Sequence, residues 1–381
     1  MLSFAVIPKQ TRLKFFMDST TKAALLLNGI KAPVKAFRKL CGEYDPADLW
    51  HCESLWDELR LTERMKERLA NFLAKDWAEN EDEKIYSFGA RFISENNIDY
   101  PKKLSDLRDP PIGLYVKGNV NLSLPSVAIV GTRKCSAYAE GVAVNLGKAL
   151  ARAGITTISG GAKGIDTAGH RGTLNENGIT VVVFGTGLDK TYPAENKDLF
   201  TQILDKNGAW ITEYSFGTDG NTWRFPERDR LIAAIASHVV VAESPEDGGA
   251  MHTARKAVEL GRDMWSIPGR IIDEVAKGTN MLMREGKIFV SIEDFISKIT
   301  SGRVQVDIAF DDSVQDTSSQ ASDLTDDAKI IYSLIQGKSG ITIDNLLSES
   351  GRDFIDVQTA LNELEFYGLI TNAGGRYSAG I

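Results

Sequence analysis

Residues 126–166 read SVAIVGTRKCSAYAEGVAVNLGKALARAGITTISGGAKGID, and this stretch decides the fold. An apolar run, Val127 to Val130, leads into Gly131-Thr132-Arg133 and then into a segment with helical periodicity. A second apolar run, Ile155 to Ile158, leads into the turn Ser159-Gly160-Gly161-Ala162-Lys163-Gly164 and a second helix. Strands joined by helices run parallel, so both glycine-rich turns are predicted at the carboxyl edge of one sheet. Open α/β sheets bind their ligands at this edge.

The two turns have the chemistry of a phosphate site. Glycines let backbone N–H groups approach a ligand closely, and free helix N-termini favour negative charge. Arg133 and Lys163 add full positive charges to the same turns. A third glycine-rich turn, Gly185-Thr186-Gly187-Leu188-Asp189, widens the expected site into a shelf that holds several phosphates. The alternative is that these glycines only allow the chain to turn tightly.

Further strands and helices alternate after this stretch. Strands are predicted at 127–131, 155–159, 180–185, 209–214, 238–243 and 263–267, and a short one at Leu114 to Val116. The runs TVVVF at Thr180 and HVVVA at His238 are almost wholly apolar, which is typical of strands covered on both faces. The fold class is therefore α/β, with a Rossmann-like, doubly wound and mostly parallel sheet.

The flanking regions predict additional modules. Residues 1–80 have apolar residues at helical spacing and indicate a small helical domain of the SAM or helix-hairpin-helix type. Residues 85–300 hold the extended sheet domain. Residues 301–325 are polar and acidic, as in a flexible linker. Residues 326–381 predict three helices and a hairpin, a winged-helix-like pattern that could bind DNA or protein.

Composition limits the function classes. The chain has 381 residues, a formal charge of −8 and a pI near 5.3, which disfavours a wholly basic nucleic-acid-binding surface but allows a local patch. Cys41, Cys52 and Cys135 are odd in number and lack a CxxC spacing, so we expect reduced thiols. No apolar run reaches the length of a membrane span, and the first residues do not fit a secretory signal. We therefore expect a cytoplasmic protein without a membrane span.

Several common sites do not fit the sequence. The turn GTRKCS has one glycine where a dinucleotide site requires GxGxxG, and no acidic residue ends the second strand. The P-loop pattern GxxxxGK[ST] is absent. The four histidines show no metal-ligand spacing, and His170 is expected to be packed or hydrogen-bonded within the pocket. We predict no cofactor and no metal.

The segment Trp223-Arg224-Phe225-Pro226-Glu227-Arg228-Asp229-Arg230 combines an aromatic ring with arginines. We expect it to precede a helix over Leu231 to Ser237, with one arginine paired to Asp229 or Glu213 and the other facing the ligand. A stacking ring beside phosphate-binding charge is the combination that single-stranded nucleic acid prefers. The alternative is a core aromatic residue beside two solvated arginines.

Taken together, residues from about Tyr100 to Gly286 resemble the DNA-processing protein A family (DprA, also called Smf). The matching segments are Tyr100-Pro101, Asp109-Pro110-Pro111, Leu114-Tyr115, Lys117-Gly118-Asn119, VAIVGTR (127–133), SGGAKGID (159–166) with His170, VVVFGTGLDKTYPAEN (181–196), ITEY (211–214), FPERDR (225–230), GGAMHTARKAVELGR (248–262), IPGR (267–270) and GTN (278–280).

The resemblance implies a dimeric, non-enzymatic protein that binds single-stranded DNA. It implies that the protein protects incoming DNA during natural transformation (competence) and helps to load a RecA-type recombinase in DNA recombination. It also implies a base stacked on Phe225 and a pocket for phosphates. The implied pocket residues are Gly131, Thr132, Arg133, Ser159, Gly160, Gly161, Lys163, Gly164, Arg228 and Arg230.

The sequence departs from the family pattern at four positions. The family usually has FPxRNR, so Asp229 adds a negative charge beside the arginines. Gly248 stands where a serine is usual, Met251 where a leucine is common, and Thr222 where a basic residue often lies.

Two other functions stay open. A nucleotide-binding hydrolase acting on a nucleoside monophosphate would need Asp166, His170, Glu213 or Glu243 as its catalytic group, but a PGGxGT signature is absent. A scaffold for a recombinase that does not bind DNA would leave the shelf empty.

Overall fold

The structure is a computed structural model that describes residues 17–118, 121–300, 324–336, 340–366, 369–373 and 376–379. It divides into two compact units, Met1–Val304 and Gln305–Ile381. The predicted linker, residues 301–325, lies outside the described residues except for its last two positions. In the described part of the chain, no helix is long and apolar enough to cross a membrane.

The first unit begins with an all-helical segment, as the sequence predicts. Its helices are α1 (Ser19–Gly29), α2 (Val34–Glu43), α3 (Asp48–His51), α4 (Ser54–Glu58), α5 (Glu63–Ala74) and α6 (Trp77–Phe88). They bury a shared core that includes Leu26, Phe37 and Leu40. Leu25 and Ile85 instead pack in a cluster with residues of the sheet. Because the helices pack on the sheet within one unit, independent folding of residues 1–80 stays a prediction.

A nine-stranded sheet forms the centre of this unit. Its strands are β1 (Arg91–Ser94), β2 (Gly113–Gly118), β3 (Ser126–Val130), β4 (Thr156–Ser159), β5 (Thr180–Val183), β6 (Ala209–Thr212), β7 (His238–Val241), β8 (Asp263–Ser266) and β9 (Lys287–Ile288). Their order is β1-β2-β6-β5-β4-β3-β7-β8-β9. β1 and β2 are antiparallel additions at one end, and the other strands run parallel. This confirms the predicted α/β fold with a mostly parallel sheet.

Helices flank the sheet and connect its strands. They are α7 (Ala137–Arg152), α8 (Ile165–Asn175), α9 (Lys197–Asp205), α10 (Arg224–Ile235), α11 (Ala250–Glu259), α12 (Lys277–Leu282) and α13 (Ile292–Thr300). The chain passes outward from β3 through β4 and β5 to β6, then returns to place β7 on the other side of β3. The carboxyl ends of β3, β4, β5 and β6 therefore stand side by side, about 4.8 Å apart from one strand to the next.

The second unit has its own hydrophobic core. Its elements are α14 (Asp326–Ile335), β10 (Ile341–Thr342), α15 (Ile343–Ser350), α16 (Phe354–Phe366), β11 (Ile370–Ala373) and β12 (Arg376–Ala379). The three strands form an antiparallel sheet in the order β10-β12-β11. Three helices and a hairpin follow one another as predicted. The winged-helix assignment, and binding of DNA or protein by this unit, stay predictions.

The structure differs from the sequence-based expectation in two ways. The short strands β1, β9 and β10 were not expected, because none of them has the continuous apolar run that marks the buried strands β5 and β7. Helix α10 begins at Arg224 and not at Leu231, so Phe225, Arg228 and Arg230 lie within its first two turns.

We expect the fragment that ends at Val304 to fold without the second unit. The apolar core of the second unit consists of residues from 324 to 377, so deleting it leaves the cores of the first unit complete. The shortened protein should retain near-ultraviolet circular dichroism and a cooperative thermal transition. Loss of the transition, with the full chain as the control, would show that the two units depend on each other.

Candidate nucleic-acid interface

A pocket opens at the carboxyl edge of the sheet, above the ends of β4 and β5. Its lining residues follow four different strands: Arg133 after β3, Gly160, Ala162 and Lys163 after β4, Gly185, Thr186, Tyr192 and Pro193 after β5, and Phe225 and Arg228 of α10 after β6. The glycine-rich turns predicted to form a shelf are thus brought together. Five of the eleven predicted site residues line this pocket: Arg133, Gly160, Lys163, Phe225 and Arg228.

Two stacked aromatic rings form one wall of the pocket. The ring centroids of Tyr192 and Phe225 lie 5.2 Å apart and the ring planes differ by 27°. Tyr192 is 44% exposed, whereas Phe225 is partly buried. Tyr192 is thus the more exposed ring of the pair, and the predicted stacking residue, Phe225, supports it from within the pocket.

Cations surround the same rings. The guanidinium carbon of Arg133 lies 5.5 Å from the Phe225 centroid, and that of Arg228 lies 5.9 Å from it. Arg133 is exposed and has no hydrogen bond to another described residue. Lys163 is also exposed and forms an ion pair of 2.5 Å with Glu195. Exposed ion pairs contribute little to stability, so Lys163 can exchange Glu195 for a ligand phosphate at low cost.

Arg228 has a different role because it is almost fully buried. Its Nη1 donates to the carbonyl of Gly160 at 2.7 Å and to the carbonyl of Val183, which ties together the carboxyl ends of β4 and β5. Its Nε donates to Asp229 at 3.0 Å. Burial raises the pKa of Asp229, and the charge of Arg228 opposes this rise. A Cβ at Gly160 would lie 2.6 Å from the guanidinium, so this position requires glycine.

The backbone N–H groups at the second turn are not all free, contrary to what the glycine pattern predicts. The carboxylate of Asp166, in the first turn of α8, accepts from the N–H of Gly160 at 3.1 Å and of Ala162 at 3.2 Å. This internal anion takes the place that the sequence predicts for a phosphate. Burial raises the pKa of Asp166 to about 6, although Arg228 and the N–H donors favour its charged form.

The first glycine-rich turn, after β3, is hydrogen-bonded to the residues that follow β7. The N–H of Thr132 donates to the carbonyl of Glu243 at 2.7 Å, across the gap between β3 and β7. The Glu243 carboxylate accepts from the N–H and the hydroxyl of Ser136, the N-cap of α7. Gly131 is packed against Ile165. Gly131 and Thr132 therefore hold the loop that presents Arg133, and the N–H of Thr132 is not free to bind a phosphate.

Four other predicted residues lie outside the pocket lining. Ser159 is fully buried, and its hydroxyl donates to the carbonyl of Ile129 at 2.6 Å. Gly161 is buried against Val182 and Phe200. Gly164 has a φ of +77° and lies against the Thr132 carbonyl, where a side chain would not fit.

Arg230 is the fourth of these residues. It is directed away from the pocket, because it pairs with Glu213 and donates to the carbonyl of Asp109 at 2.9 Å. The prediction that one arginine pairs inward with Glu213 is therefore met by Arg230. The other arginine, Arg228, reaches the pocket while pairing with Asp229.

Each candidate catalytic group of the hydrolase alternative is bonded to at least one other group of the protein, although His170 Nε2 and Glu213 Oε1 are buried without a partner among the described residues. His170 is fully buried, its Nδ1 lies 2.7 Å from the hydroxyl of Thr180, and burial lowers its pKa to about 3. Asp166, Glu213 and Glu243 accept from the donors described above. Within the described residues, no group of three or more His, Cys, Asp or Glu side chains could hold a metal ion.

The sequence analysis missed Tyr192 as a site residue. A signal was available, since Tyr192 follows the third glycine-rich turn by a few residues within the quoted motif GTGLDKTYPAEN. Its contact with Phe225 could not be read from the sequence, because the two residues are separated by the whole of α9 and β6.

Comparison with known proteins gives a consistent result. Residues 91–300 match the family model described as DNA recombination-mediator protein A. The DNA processing protein DprA of Streptococcus pneumoniae is 38% identical over 201 residues, which cover 52% of this chain and 71% of that protein. The putative DNA processing protein DprA of Mycobacterium tuberculosis is 34% identical over 272 residues, 70% of this chain and 68% of that protein.

Two solved structures of DprA proteins are also similar to this chain. The X-ray structure of DprA from Streptococcus pneumoniae superposes with a TM-score of 0.65 and 30% identity, covering 74% of this chain and 99% of that one. DprA from Helicobacter pylori, described with its single-stranded DNA binding mode, superposes with a TM-score of 0.51 and 29% identity. That match covers 56% of this chain and 97% of that one.

Replacing Asp166 by Asn should remove one component of the pH dependence of folding. The folded pKa of about 6 lies above the ordinary 3.8, so the folded state binds more protons between these values. Stability from this group is therefore fully present below pH 3.8 and is lost as pH rises through about 6, a change of about 3 kcal/mol. The difference in unfolding free energy between the variant and the parent, measured by urea titration, should shift in favour of the variant over this range. A difference that does not change with pH would contradict the assignment.

Proposed function

Because the chain belongs to the DNA recombination-mediator protein A family, we propose that it binds single-stranded DNA at the pocket above β4 and β5. The observation that carries this proposal is the position of the Arg133 and Arg228 guanidinium groups within 6 Å of the Phe225 ring, which is itself stacked on Tyr192. Backbone charge and base stacking are the two contacts by which proteins hold a strand without reading its sequence.

The pocket offers a separate group for each part of a nucleotide. Arg133 and Lys163 are exposed cations that can contact phosphates. The exposed ring of Tyr192, backed by Phe225, provides a flat surface for an unpaired base. Arg228 holds the floor of the pocket in shape and adds positive charge beneath it. Gly131, Thr132, Ser159, Gly161 and Gly164 support these groups through the backbone, and Arg230 anchors α10.

The same geometry favours binding over catalysis. A general base must reach the proton that it removes, directly or through one water. Asp166, His170, Glu213 and Glu243 are all buried and hydrogen-bonded to other groups of the protein. We therefore propose a non-enzymatic role and set the nucleotide hydrolase aside. A recombinase scaffold that does not bind DNA would not account for the exposure of Arg133 and Tyr192 at the pocket.

The wider role follows from family membership. We propose that the protein protects incoming single strands in natural transformation and helps to load a RecA-type recombinase, in the cytoplasm. We also propose that it acts as a homodimer, in which two pockets would raise avidity on one strand. The edge strand β9 supports this, because Ile288 of β9 and Val290, two residues further along the chain, are 49% and 75% exposed. Exposed apolar residues at an unpaired strand edge are a surface on which a second copy could pack.

Replacing Arg133 by Ala should weaken binding of single-stranded DNA by about tenfold to a hundredfold, because a charge-assisted contact contributes about 1.5–3 kcal/mol. The side chain is exposed, so the variant should remain folded. Lys134→Ala is the matched control, since Lys134 is the exposed neighbour that does not line the pocket. Fluorescence anisotropy with a labelled dT oligonucleotide measures both. Unchanged affinity in a folded Arg133 variant would overturn the site.

Single strands should bind more tightly than a blunt duplex, and their binding should weaken steeply with salt. A duplex offers no unpaired base to Tyr192 and Phe225, so it loses about 1–3 kcal/mol of stacking per base. Phosphate contacts release counterions, with a slope of about −0.7 for each phosphate on a single strand. Affinities measured over a salt series decide the question. Equal affinity for the two forms, or a flat response to salt, would contradict the proposed mode of binding.

A further inference from the structure

A second group of cations and aromatic rings lies beside the pocket. It consists of Lys31, Tyr214, Trp223 and Arg224, and we call it the Lys31–Trp223 cluster. Lys31 Nζ lies 4.2 Å from the centroid of the Tyr214 ring. The guanidinium carbon of Arg224 lies 5.5 Å from the same ring and 4.8 Å from the ring of Trp223. The pocket described above includes none of these four residues.

The cluster lies at the same edge of the sheet as the pocket. Tyr214 follows the carboxyl end of β6, which pairs with β5, and the floor of the pocket includes the turn after β5. Trp223 and Arg224 begin α10, the helix that carries Phe225 and Arg228 in the pocket. The cluster is therefore the next position along the row of strand ends, within reach of a nucleotide adjacent to the one in the pocket.

Trp223 is the ring of the cluster that a ligand can reach, since it is 51% exposed, whereas Tyr214 is buried. Lys31 is exposed as a whole residue, while burial of its ammonium against the Tyr214 ring lowers its pKa and the charges of Glu213 and Glu227 oppose this change. Arg224 donates to the Asp219 carbonyl through Nη1, while its buried Nε has no partner among the described residues. A cation beside a half-exposed indole ring is the same pairing of charge and stacking surface that the pocket contains.

The charge balance of this region remains positive. The carboxylate of Glu213 is paired with Arg230, and that of Glu227 accepts from the hydroxyl of Tyr214 at 2.8 Å. Lys31 and Arg224 add two positive charges to these groups. The three cations Lys31, Arg224 and Arg230 outnumber the two carboxylates of Glu213 and Glu227, so a phosphate that approaches the cluster meets a net charge of +1 (three minus two).

The backbone at Lys31 adds a second, independent observation. Its φ is +63°, in the left-handed region that glycine adopts without strain and that is uncommon for lysine. The residue ends the turn after α1, where glycine would relieve this strain. Arg60, two residues after α4, has a similar φ of +56°, so what distinguishes Lys31 is that this backbone conformation places its Nζ over the Tyr214 ring.

We propose that the Lys31–Trp223 cluster is a second nucleotide subsite, in which a base stacks on Trp223 and the adjoining phosphate contacts Lys31 and Arg224. This inference rests on the proposed binding of single-stranded DNA. It assigns a role to the N-terminal helical segment, which contributes Lys31 to a surface otherwise built by the sheet domain. Asn28 holds that segment in place, because its side chain donates to the carbonyl of Glu213 at 3.1 Å.

The test compares thymidine 5′-monophosphate with a longer strand, a dT oligonucleotide of about 16 nucleotides, which is the upper site size of a single-strand-binding OB fold. The variants are Lys31→Gly, which removes the cation and relieves the left-handed φ, and Trp223→Ala, which removes the ring. Lys206→Ala controls for the loss of one charge, since Lys206 is exposed and precedes β6 at the opposite edge of the sheet. Tyr86→Ala controls for the loss of an exposed ring on α6.

We expect Lys31→Gly to weaken binding of the longer strand about tenfold and to lower the salt slope by about 0.7, with an unfolding temperature equal to or above that of the parent. Trp223→Ala should weaken it about fivefold or more, and Trp223→Phe should restore most of the affinity. The monophosphate, which the pocket alone can hold, should bind the Lys31 and Trp223 variants as tightly as it binds the parent.

Normal binding of the longer strand by Lys31→Gly and Trp223→Ala, while Arg133→Ala binds poorly, would overturn the second subsite and leave the proposed function intact. Failure of the parent protein to bind the longer strand would overturn the proposed function and the second subsite with it. Loss of affinity in the Lys206 or Tyr86 controls would show that general charge or surface effects, and not this cluster, account for the result.

Discussion

The candidate site depends on one buried guanidinium group. Arg228 bridges the carbonyls of Gly160 and Val183, so it fixes the distance between the carboxyl ends of β4 and β5. The carboxyl groups of Asp229 and Asp166 lie beside it. Burial raises the pKa of both groups, and the positive charge of Arg228 opposes this rise. Removing one partner from a buried charged group typically costs about 3–5 kcal/mol. A substitution at Arg228 would therefore change both the shape of the pocket and the stability of the sheet edge.

This arrangement explains why the positive charge of the site comes from side chains. At many glycine-rich turns the backbone N–H groups and the helix dipole bind the anion. Here the Asp166 carboxylate already accepts from Gly160 and Ala162, and the Glu243 carbonyl accepts from Thr132. Exposed side chains, foremost Arg133 and Lys163, are left to contact a ligand. The overall charge of −8 does not conflict with this, because the field at a pocket depends on the nearest groups.

The joint between the helical segment and the sheet places further groups at the same edge. Asn28 donates to the Glu213 carbonyl, and the Glu81 carboxylate accepts from the N–H of Phe216 at 2.7 Å. These contacts hold the loop after β6 from the side of the helices. Tyr214 in that loop is consequently covered by Lys31 on one side and approached by Arg224 from α10. The surface at this edge of the sheet therefore extends beyond the strand ends to residues of the helical segment and of α10.

The sequence by itself determined the elements and the edge at which the site lies. Apolar runs such as Thr180 to Phe184, with glycine turns after them, mark buried parallel strands, because both signals are local in the chain. The same local signals put Arg133 and Lys163 at one edge of the sheet, and the family resemblance implied Phe225 and Arg228; all four line the pocket. Short strands such as β9 were missed, since pairing with β8 and not local pattern creates them.

Only the tertiary structure decided which polar groups remain free for a ligand. Ser159, Asp166 and Arg230 look like ligand-binding residues in the sequence, yet each is bonded to another group of the protein. Tyr192 and Lys31 acquire their roles only from the rings that they contact, Phe225 and Tyr214. A hydrogen bond or a ring contact is made between groups distant in the chain. The sequence therefore specifies which groups are present, whereas packing determines which of them the protein itself uses.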